Sequence, residues 1–154
     1  MREFELISSH GPTICLSGYR GQSALVLILS DARQETERLM RDVAGHYKEL
    51  RNNEAEVLAI VHGSRMQALA LARRLGIPYP VLLDEDGRIH RELGATDAQS
   101  RDAAAVYVTD RFREVFALYR TAEGAGLPGI EEILRNLEFI GFQCPECEPP
   151  EWPV

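Results

Sequence analysis

A chain of 154 residues with 45% hydrophobic and 27% charged residues has room for one globular domain with an ordinary core. Its net charge of −7 argues against binding to nucleic acid or to an anionic membrane, since both partners require a basic face. No apolar run reaches the roughly 20 residues that a membrane-spanning helix needs, and the acidic N-terminus is unlike a signal peptide. We therefore expect a cytoplasmic protein without a membrane or nucleic-acid partner.

The first third of the sequence predicts a hairpin, a buried strand and a helix. Apolar residues on either side of Gly11 and Pro12 are typical of a small N-terminal β-hairpin. Ala24–Leu29 is an unbroken apolar run, which favours a strand buried on both faces. The apolar residues at 40, 43, 47 and 50 then step by three and four, so they predict one amphipathic helix that ends near residues 52–53.

The remaining elements are marked by clear start and stop signals. Val57–Val61 predicts a second buried strand, and Ser64 with Gln67 forms a capping-box pattern for a helix that Gly76 ends. Residues 81–83 favour a short strand, followed by a turn at 84–87. Residues 103–108 and 114–119 predict an antiparallel pair, and Pro128 begins a last helix with an apolar stripe from 130 to 140.

This order of elements predicts an α/β protein with a thioredoxin-like fold. A central mixed sheet is flanked by helices, because parallel strands joined by helices need crossovers that cover both faces. The N-terminal β-hairpin is an addition to that core. We expect residues 1–141 to form the domain and residues 142–154 to form a Pro-rich C-terminal tail.

Four stretches carry a resemblance to a known family: Leu16–Gly21, Val57–Val61, Ile77–Asp84 with the following Asp86-Gly87, and Ala105–Arg111. In this order and spacing, over roughly residues 4–120, the chain resembles the peroxiredoxins of the alkyl hydroperoxide reductase/thiol-specific antioxidant family. The resemblance implies a thioredoxin fold and, for active members, reduction of hydroperoxides by a cysteine thiolate. It also makes a homodimer plausible.

The sequence departs from the family at the usual peroxidatic position. That cysteine belongs in the first turn of the helix after the central strand, where this chain has Thr36, to within one residue. A threonine hydroxyl is not ionised at neutral pH and is a much weaker nucleophile than a thiolate. Asp31, Glu35 and Glu37 complement the helix dipole, and they would raise the pKa of a thiol placed there. We therefore expect a well-capped helix start without the usual peroxidatic cysteine.

The candidate catalytic residues are Cys144 and Cys147, which form a C-x-x-C motif in the tail. The motif follows the last helix instead of opening one, and Glu146 and Glu148 add negative charge. Both features raise the pKa of a thiol, so we expect slow attack. A reversible redox pair acting on a hydroperoxide or a protein disulfide is one interpretation. A passive tail docked on the domain or on a dimer partner is another.

A third interpretation makes Cys144 and Cys147 half of a zinc site. Structural zinc needs four ligands, and the chain has no second C-x-x-C and no His-x₃₋₅-His pattern. A symmetry mate or scattered histidines would have to complete the site. No phosphate-binding loop, metalloprotease motif or Ser-His-Asp order is visible, so the sequence predicts no cofactor.

For Cys15 and Trp152 we expect structural roles or none. Cys15 lies in an apolar hairpin strand and is expected in the core, with a resolving thiol as the alternative. Trp152 lies in a Pro-rich extended segment that either docks in an apolar groove or stays free.

Among the histidines, His62 is the best placed for function. It follows a parallel strand at the edge of the sheet where ligands bind in open α/β folds, although a satisfied loop histidine explains it as well. His10 is expected in a loop, His46 on the polar side of the first helix, and His90 on the surface.

Three functions remain open from the sequence. The first is a peroxiredoxin-like protein in a thiol redox or antioxidant context, with its chemistry at the tail cysteines. The second is a redox-inactive binding module whose cleft, near residues 31–36 and His62, holds a peptide or a partner. The third is a zinc-linked dimer. A helix start filled by the protein's own side chains would count against the cleft.

Overall fold

A computed structural model of the chain describes residues 1–21 and 23–142. The strands and α-helices follow one another in the order β1 Glu5–Ile7, β2 Thr13–Cys15, β3 Ala24–Ser30, α1 Gln34–Gly45, α2 Tyr47–Asn52, β4 Ala55–His62, α3 Arg65–Leu75, β5 Val81–Asp84, α4 Arg88–Glu92, β6 Ala105–Thr109, β7 Val115–Arg120 and α5 Ile130–Gly141. Short 3₁₀ turns follow β2 and β7, at Leu16–Tyr19 and Thr121–Glu123.

The strands form one mixed sheet and one hairpin. The five-stranded sheet has the order β5-β4-β3-β6-β7, so β3 is its central strand. β3 and β4 are parallel, as are β4 and β5, whereas β6 runs antiparallel to both β3 and β7. β1 and β2 pair separately as an antiparallel hairpin. The expected thioredoxin-like α/β fold with an added N-terminal hairpin is confirmed.

The central strand is buried on both faces, as its unbroken apolar run predicts. Because side chains alternate along a strand, Val26 and Ile28 point to the layer formed by α1, α3 and α5. Leu25, Leu27 and Leu29 point to the other face, where they join a second core. Every residue of β3 is buried.

The helix boundaries follow local signals, with one difference from prediction. Ser64 and Gln67 form the predicted capping box at the start of α3, which ends at Gly76 in the left-handed region, at φ +63°. The single helix predicted between β3 and β4 is instead split into α1 and α2 at His46, whose φ of −107° is not helical. Gly45 comes directly before the break, and glycine has a poor helix propensity.

The predicted turn at 84–87 is also more structured than expected. Asp84 is the last residue of β5 and is buried, and α4 begins directly after Gly87. Within residues 1–21 and 23–142, no helix has the length and apolar character needed to cross a bilayer.

Candidate functional site

The carboxyl ends of β3, β4 and β5 meet at one edge of the sheet, here called the carboxyl edge, defined by Ser30, His62 and Asp84. Ligands of open α/β folds bind at this kind of edge. Two His–Asp pairs lie here, one buried and one exposed. Their rings, those of His62 and His90, are 5.9 Å apart between centroids.

The buried pair is His90 and Asp84, with side chains that are 0% and 1% exposed. His90 Nδ1 lies 2.7 Å from Asp84 Oδ2, and His90 Nε2 lies 3.0 Å from the carbonyl oxygen of Ser30. Both neighbours are hydrogen-bond acceptors, so each ring nitrogen of His90 faces an acceptor. The expectation that His90 lies on the surface is therefore wrong, because α4 turns this side chain inward to bond Asp84.

Hydrogen bonds hold Asp84 in its charged form. Burial alone raises the pKa of this carboxyl, but the His90 side chain and the backbone N–H groups of His90 and Ile89 outweigh burial and lower the pKa to about 2. The backbone bonds are 2.8 Å from His90 and 3.1 Å from Ile89. This cluster thus joins β3, β5 and α4.

The exposed pair is His62 and Asp102, with side chains that are 36% and 30% exposed. His62 Nδ1 donates to the Asp102 carboxylate, whose oxygens lie 2.8 and 3.0 Å away. With the proton on Nδ1, the other ring nitrogen, Nε2, can act as a proton acceptor. Sequence reasoning found His62 but missed Asp102, because the two residues are 40 positions apart and lie on no shared element.

The start of α1 is closed by its own side chains. Thr36 is 1% exposed, and its hydroxyl donates to Asp31 Oδ1 over 2.6 Å. The same carboxylate oxygen accepts the backbone N–H of Arg33 over 3.0 Å. The N-cap residue of α1, Arg33, makes no side-chain capping hydrogen bond, so the predicted well-capped start is not confirmed, but the Thr36 hydroxyl is engaged. It counts against a substrate cleft at residues 31–36 themselves.

An open cavity of about 300 Å³ lies beside this helix start, between α1 and α3. His62 and Gln67 line it, and so do Glu37 and Arg74, which form a bidentate ion pair at 2.6 and 2.8 Å. The hydrogen bond from Arg74 lowers the pKa of Glu37. The cavity thus combines an imidazole with a fixed ion pair, and it can hold a small polar group.

Cys15 is the only cysteine among the described residues. The expectation that it lies in the core is wrong, because it is exposed. In the two-stranded hairpin, Ile14 packs inward while its neighbours Thr13 and Cys15 face outward, as strand alternation requires. Partial desolvation, followed by the charge of Glu5, raises the pKa of the Cys15 thiol. Neither position nor electrostatics favours a reactive thiol there.

The tail residues Cys144, Cys147 and Trp152 lie outside the described residues. The end of α5 lies at the opposite edge of the sheet, here called the amino edge, because Gly141 shares a crevice with Ala24, the first residue of β3.

The two edges are separated by the length of β3, whose seven residues span about 20 Å.

The comparisons with known proteins agree with the fold. The model of the AhpC/TSA family matches residues 1–118. The structure of peroxidoxin BcpB from Mycobacterium tuberculosis is similar, with a TM-score of 0.79, 18% identity, and coverage of 91% of this chain and 94% of that chain. AhpC from Enterococcus faecalis gives a TM-score of 0.78 at 22% identity, covering 92% of this chain and 90% of that chain.

The mitochondrial 2-Cys peroxiredoxin from Plasmodium falciparum gives a TM-score of 0.75 at 18% identity, with 90% of each chain covered. At such identities these structures establish the shared fold. No curated protein matches the chain significantly.

Proposed function

Because the chain belongs to the AhpC/TSA family, we propose that this peroxiredoxin-like protein carries out thiol redox chemistry through Cys144 and Cys147, and not at the start of α1. The observation that supports this proposal is the first turn of α1. Its Thr36 is buried and bonded to Asp31, and that turn contains no thiol. That the family's peroxidatic cysteine belongs at Thr36 stays a prediction from the resemblance.

The proposed reaction is a two-electron reduction of a hydroperoxide. The thiolate of one cysteine attacks the terminal oxygen, the O–O bond breaks, and the alcohol leaves with a proton, so that the cysteine becomes a sulfenic acid. The thiol of the other cysteine condenses with it, releasing water and forming the disulfide. An external dithiol then reduces the disulfide by exchange. A protein disulfide is the alternative substrate, which the reduced pair would open by the same exchange.

The surroundings of the pair predict a slow reaction at neutral pH. The carboxyl end of α5 precedes the motif, and Glu146 and Glu148 flank Cys147 in the sequence. Negative charge favours the thiol over the thiolate, so the rate should increase as the pH rises toward and above 8. A cytoplasmic location and a homodimer belong to the same proposal, on the basis of composition and family.

The test is a redox titration with alkylation and mass spectrometry of Cys144 and Cys147. We expect the pair to close and open at roughly −200 to −270 mV, the range of glutaredoxins and thioredoxins. Hydroperoxide consumption should disappear in Cys144→Ser and persist in Cys15→Ser, which is the matched control. Thiols that stay reduced, or a disulfide that stays closed, across this range would contradict the proposal. Stoichiometric zinc that is lost in Cys144→Ser would instead favour the zinc-linked dimer.

The cavity beside His62 favours a second candidate function, a binding module without redox chemistry. His62 Nε2 and the Glu37–Arg74 pair offer polar partners for a peptide or another small ligand. In that case the parent protein and the Cys144→Ser variant should bind the same ligand with equal affinity, and the His62→Phe variant should not bind it. Calorimetry measures the three affinities. Binding that depends on Cys144 instead would contradict this candidate.

A further inference from the structure

The tip of the His62 ring faces the backbone at Gly87. A Cβ on this glycine would lie 2.9 Å from His62 Cε1 and 3.1 Å from His62 Nε2, so the ring packs over a position that only glycine leaves open. The opposite side of the ring is occupied, because Nδ1 bonds the Asp102 carboxylate over 2.8 Å. The side chain is partly exposed to solvent. Nε2 is therefore the ring nitrogen that remains for a ligand.

Arg91 brings a guanidinium to the same point. The same Cβ would lie 3.1 Å from Arg91 Nη1. His62 Nε2 and Arg91 Nη1 are therefore at most about 6 Å apart, which is two hydrogen-bond lengths. Nη1 donates to the carbonyl oxygen of Asp86 over 2.9 Å, and among the described residues this is the one hydrogen bond of the guanidinium. Since Arg91 is exposed and a guanidinium has five N–H donors, it can bond a ligand as well.

The two side chains offer a ligand opposite partners. With its proton on Nδ1, His62 accepts a hydrogen bond at Nε2, whereas the guanidinium of Arg91 only donates. A ligand that bonds both groups must therefore donate from one oxygen and accept at that oxygen or at a neighbouring one. A small oxyanion that keeps a proton at neutral pH, such as hydrogen phosphate or hydrogen carbonate, does both. It also carries the negative charge that strengthens a hydrogen bond from arginine.

We propose that His62 and Arg91 form a subsite for a small protonated oxyanion at the carboxyl edge. This inference rests on the second candidate function, the binding module, and names the chemical class of its ligand. His62 accepts the O–H of the ligand at Nε2, and Arg91 donates to another oxygen and balances the charge. Asp102 is a positioning residue, because it keeps the proton of His62 on Nδ1.

The carboxylates around the subsite limit its affinity. Asp102 is paired with His62, and Glu92 is paired with Arg88 at 3.2 Å. Asp86 Oδ1 accepts the backbone N–H of Arg88 over 3.0 Å, so this carboxylate keeps its charge beside Arg91. Because these charges oppose an anion, we expect a dissociation constant for hydrogen phosphate on the order of 1–10 mM.

The experiment is a titration of the full chain with inorganic phosphate at pH 7.5 and constant ionic strength, followed by nitrogen-15 NMR of the histidine rings. The Nε2 signal of His62 should shift and saturate. The signals of His90 should stay in place, although its ring is only 5.9 Å away, because both of its nitrogens are already bonded.

Two further anions separate the sources of the phosphate chemistry and test the need for a proton. Sulfate has no proton to donate, so it should bind about threefold to tenfold more weakly than phosphate. Phenyl phosphate has lost most of its second proton at pH 7.5 and should be weakened in the same way. A phosphate ester that binds as tightly as free phosphate would contradict the requirement for a protonated oxygen.

The variants test each side chain against a matched control. Arg91→Gln should weaken phosphate binding by about tenfold. Arg88→Gln removes the same charge from an exposed position three residues earlier on α4 and should leave the affinity within about twofold. Asp102→Asn should weaken phosphate binding but not sulfate binding, because it releases the proton of His62 from Nδ1.

Three outcomes would overturn the inference. The first is a His62 signal that does not move at phosphate concentrations tenfold above the expected dissociation constant. The second is equal affinity for phosphate and sulfate, which indicates only attraction to a surface cation. The third is an equal loss in Arg91→Gln and Arg88→Gln.

The failure of this inference is distinguishable from that of the second candidate function. A partner whose binding depends on His62, together with a His62 signal that phosphate leaves unchanged, would keep the binding module and remove the oxyanion subsite. Phosphate binding that depends on His62 and Arg91, without any other partner, would have the reverse meaning.

Discussion

The two His–Asp pairs at the carboxyl edge have the same chemistry in different surroundings. The shortest N–O distances are 2.7 Å for His90–Asp84 and 2.8 Å for His62–Asp102. The first pair is fully enclosed, while about a third of each side chain in the second meets water. Distance alone therefore does not distinguish a structural pair from a surface pair; burial and the number of further partners do.

Those further partners decide what each pair can contribute. Asp84 and His90 also bond the backbone of Ser30 and of α4, so neither ring nitrogen of His90 is left for a ligand. His62 is bonded at Nδ1 and borders the cavity beside α1. We therefore assign stability to the first pair, and any contact with a ligand to the second.

The largest expected effect is the loss of the buried pair through His90→Ala. This substitution leaves the buried Asp84 carboxylate without its imidazole partner, which should lower the free energy of unfolding by about 3–5 kcal/mol. Urea unfolding followed by circular dichroism measures it. His62→Ala is the matched control and should cost less than about 1 kcal/mol. Equal losses in the two variants would remove the distinction between the pairs.

The second prediction concerns the stability of the folded protein at acidic pH. Asp84 has a pKa of about 2 in the folded protein, below its unfolded value of about 3.9, so its contribution to stability is complete above about pH 4. It should be lost as the pH falls through 2. The difference in unfolding free energy between the parent protein and Asp84→Asn should therefore shrink from pH 5 to pH 2. A difference that stays constant over this range would contradict the lowered pKa.

These pairs also show which parts of the molecule the sequence predicts. The strands and most helices have local causes, such as the apolar run of β3 and the capping box at Ser64, so the sequence predicts them correctly. The inward position of His90 has a tertiary cause. It depends on the short helix α4, which brings His90 back to Asp84 and the end of β3. A helix of five residues is too short to show an apolar periodicity in the sequence.

The same limit applies to Asp102 and Cys15. Asp102 lies in an irregular segment before β6, so its pairing with His62 has no periodic signal. The apolar residues around Cys15 predict a core position for it, but a two-stranded hairpin buries only one of its faces. The redox role of Cys144 and Cys147 remains a prediction from sequence, since those residues lie outside the described range.

A third prediction tests the space that Gly87 leaves for the His62 ring. This residue has φ +68°, and a Cβ there would lie 2.9 Å from His62 Cε1 and 3.1 Å from Arg91 Nη1. Gly87→Ala should cost about 1–2 kcal/mol, mainly through the left-handed backbone conformation. It should also push the His62 ring away from Asp102 while leaving His90 in place. Histidine side-chain NMR signals would report this, and a shift at His90 with none at His62 would contradict it.

The smallest expected effect belongs to Asp102→Asn. The exposed pair is screened by water and its loss leaves no buried charge, so the unfolding free energy should change by less than about 1 kcal/mol. The orientation of His62 should nevertheless change, because an amide can donate to Nδ1 or accept from it, whereas the carboxylate only accepts. Nitrogen-15 NMR of the imidazole measures the tautomer directly. A mixture of tautomers in Asp102→Asn, against a single Nδ1-protonated form in the parent protein, would show that Asp102 fixes the proton acceptor at Nε2. A stability loss as large as that of His90→Ala would instead make both pairs structural, and it would remove the basis for treating His62 as the side chain that meets a ligand.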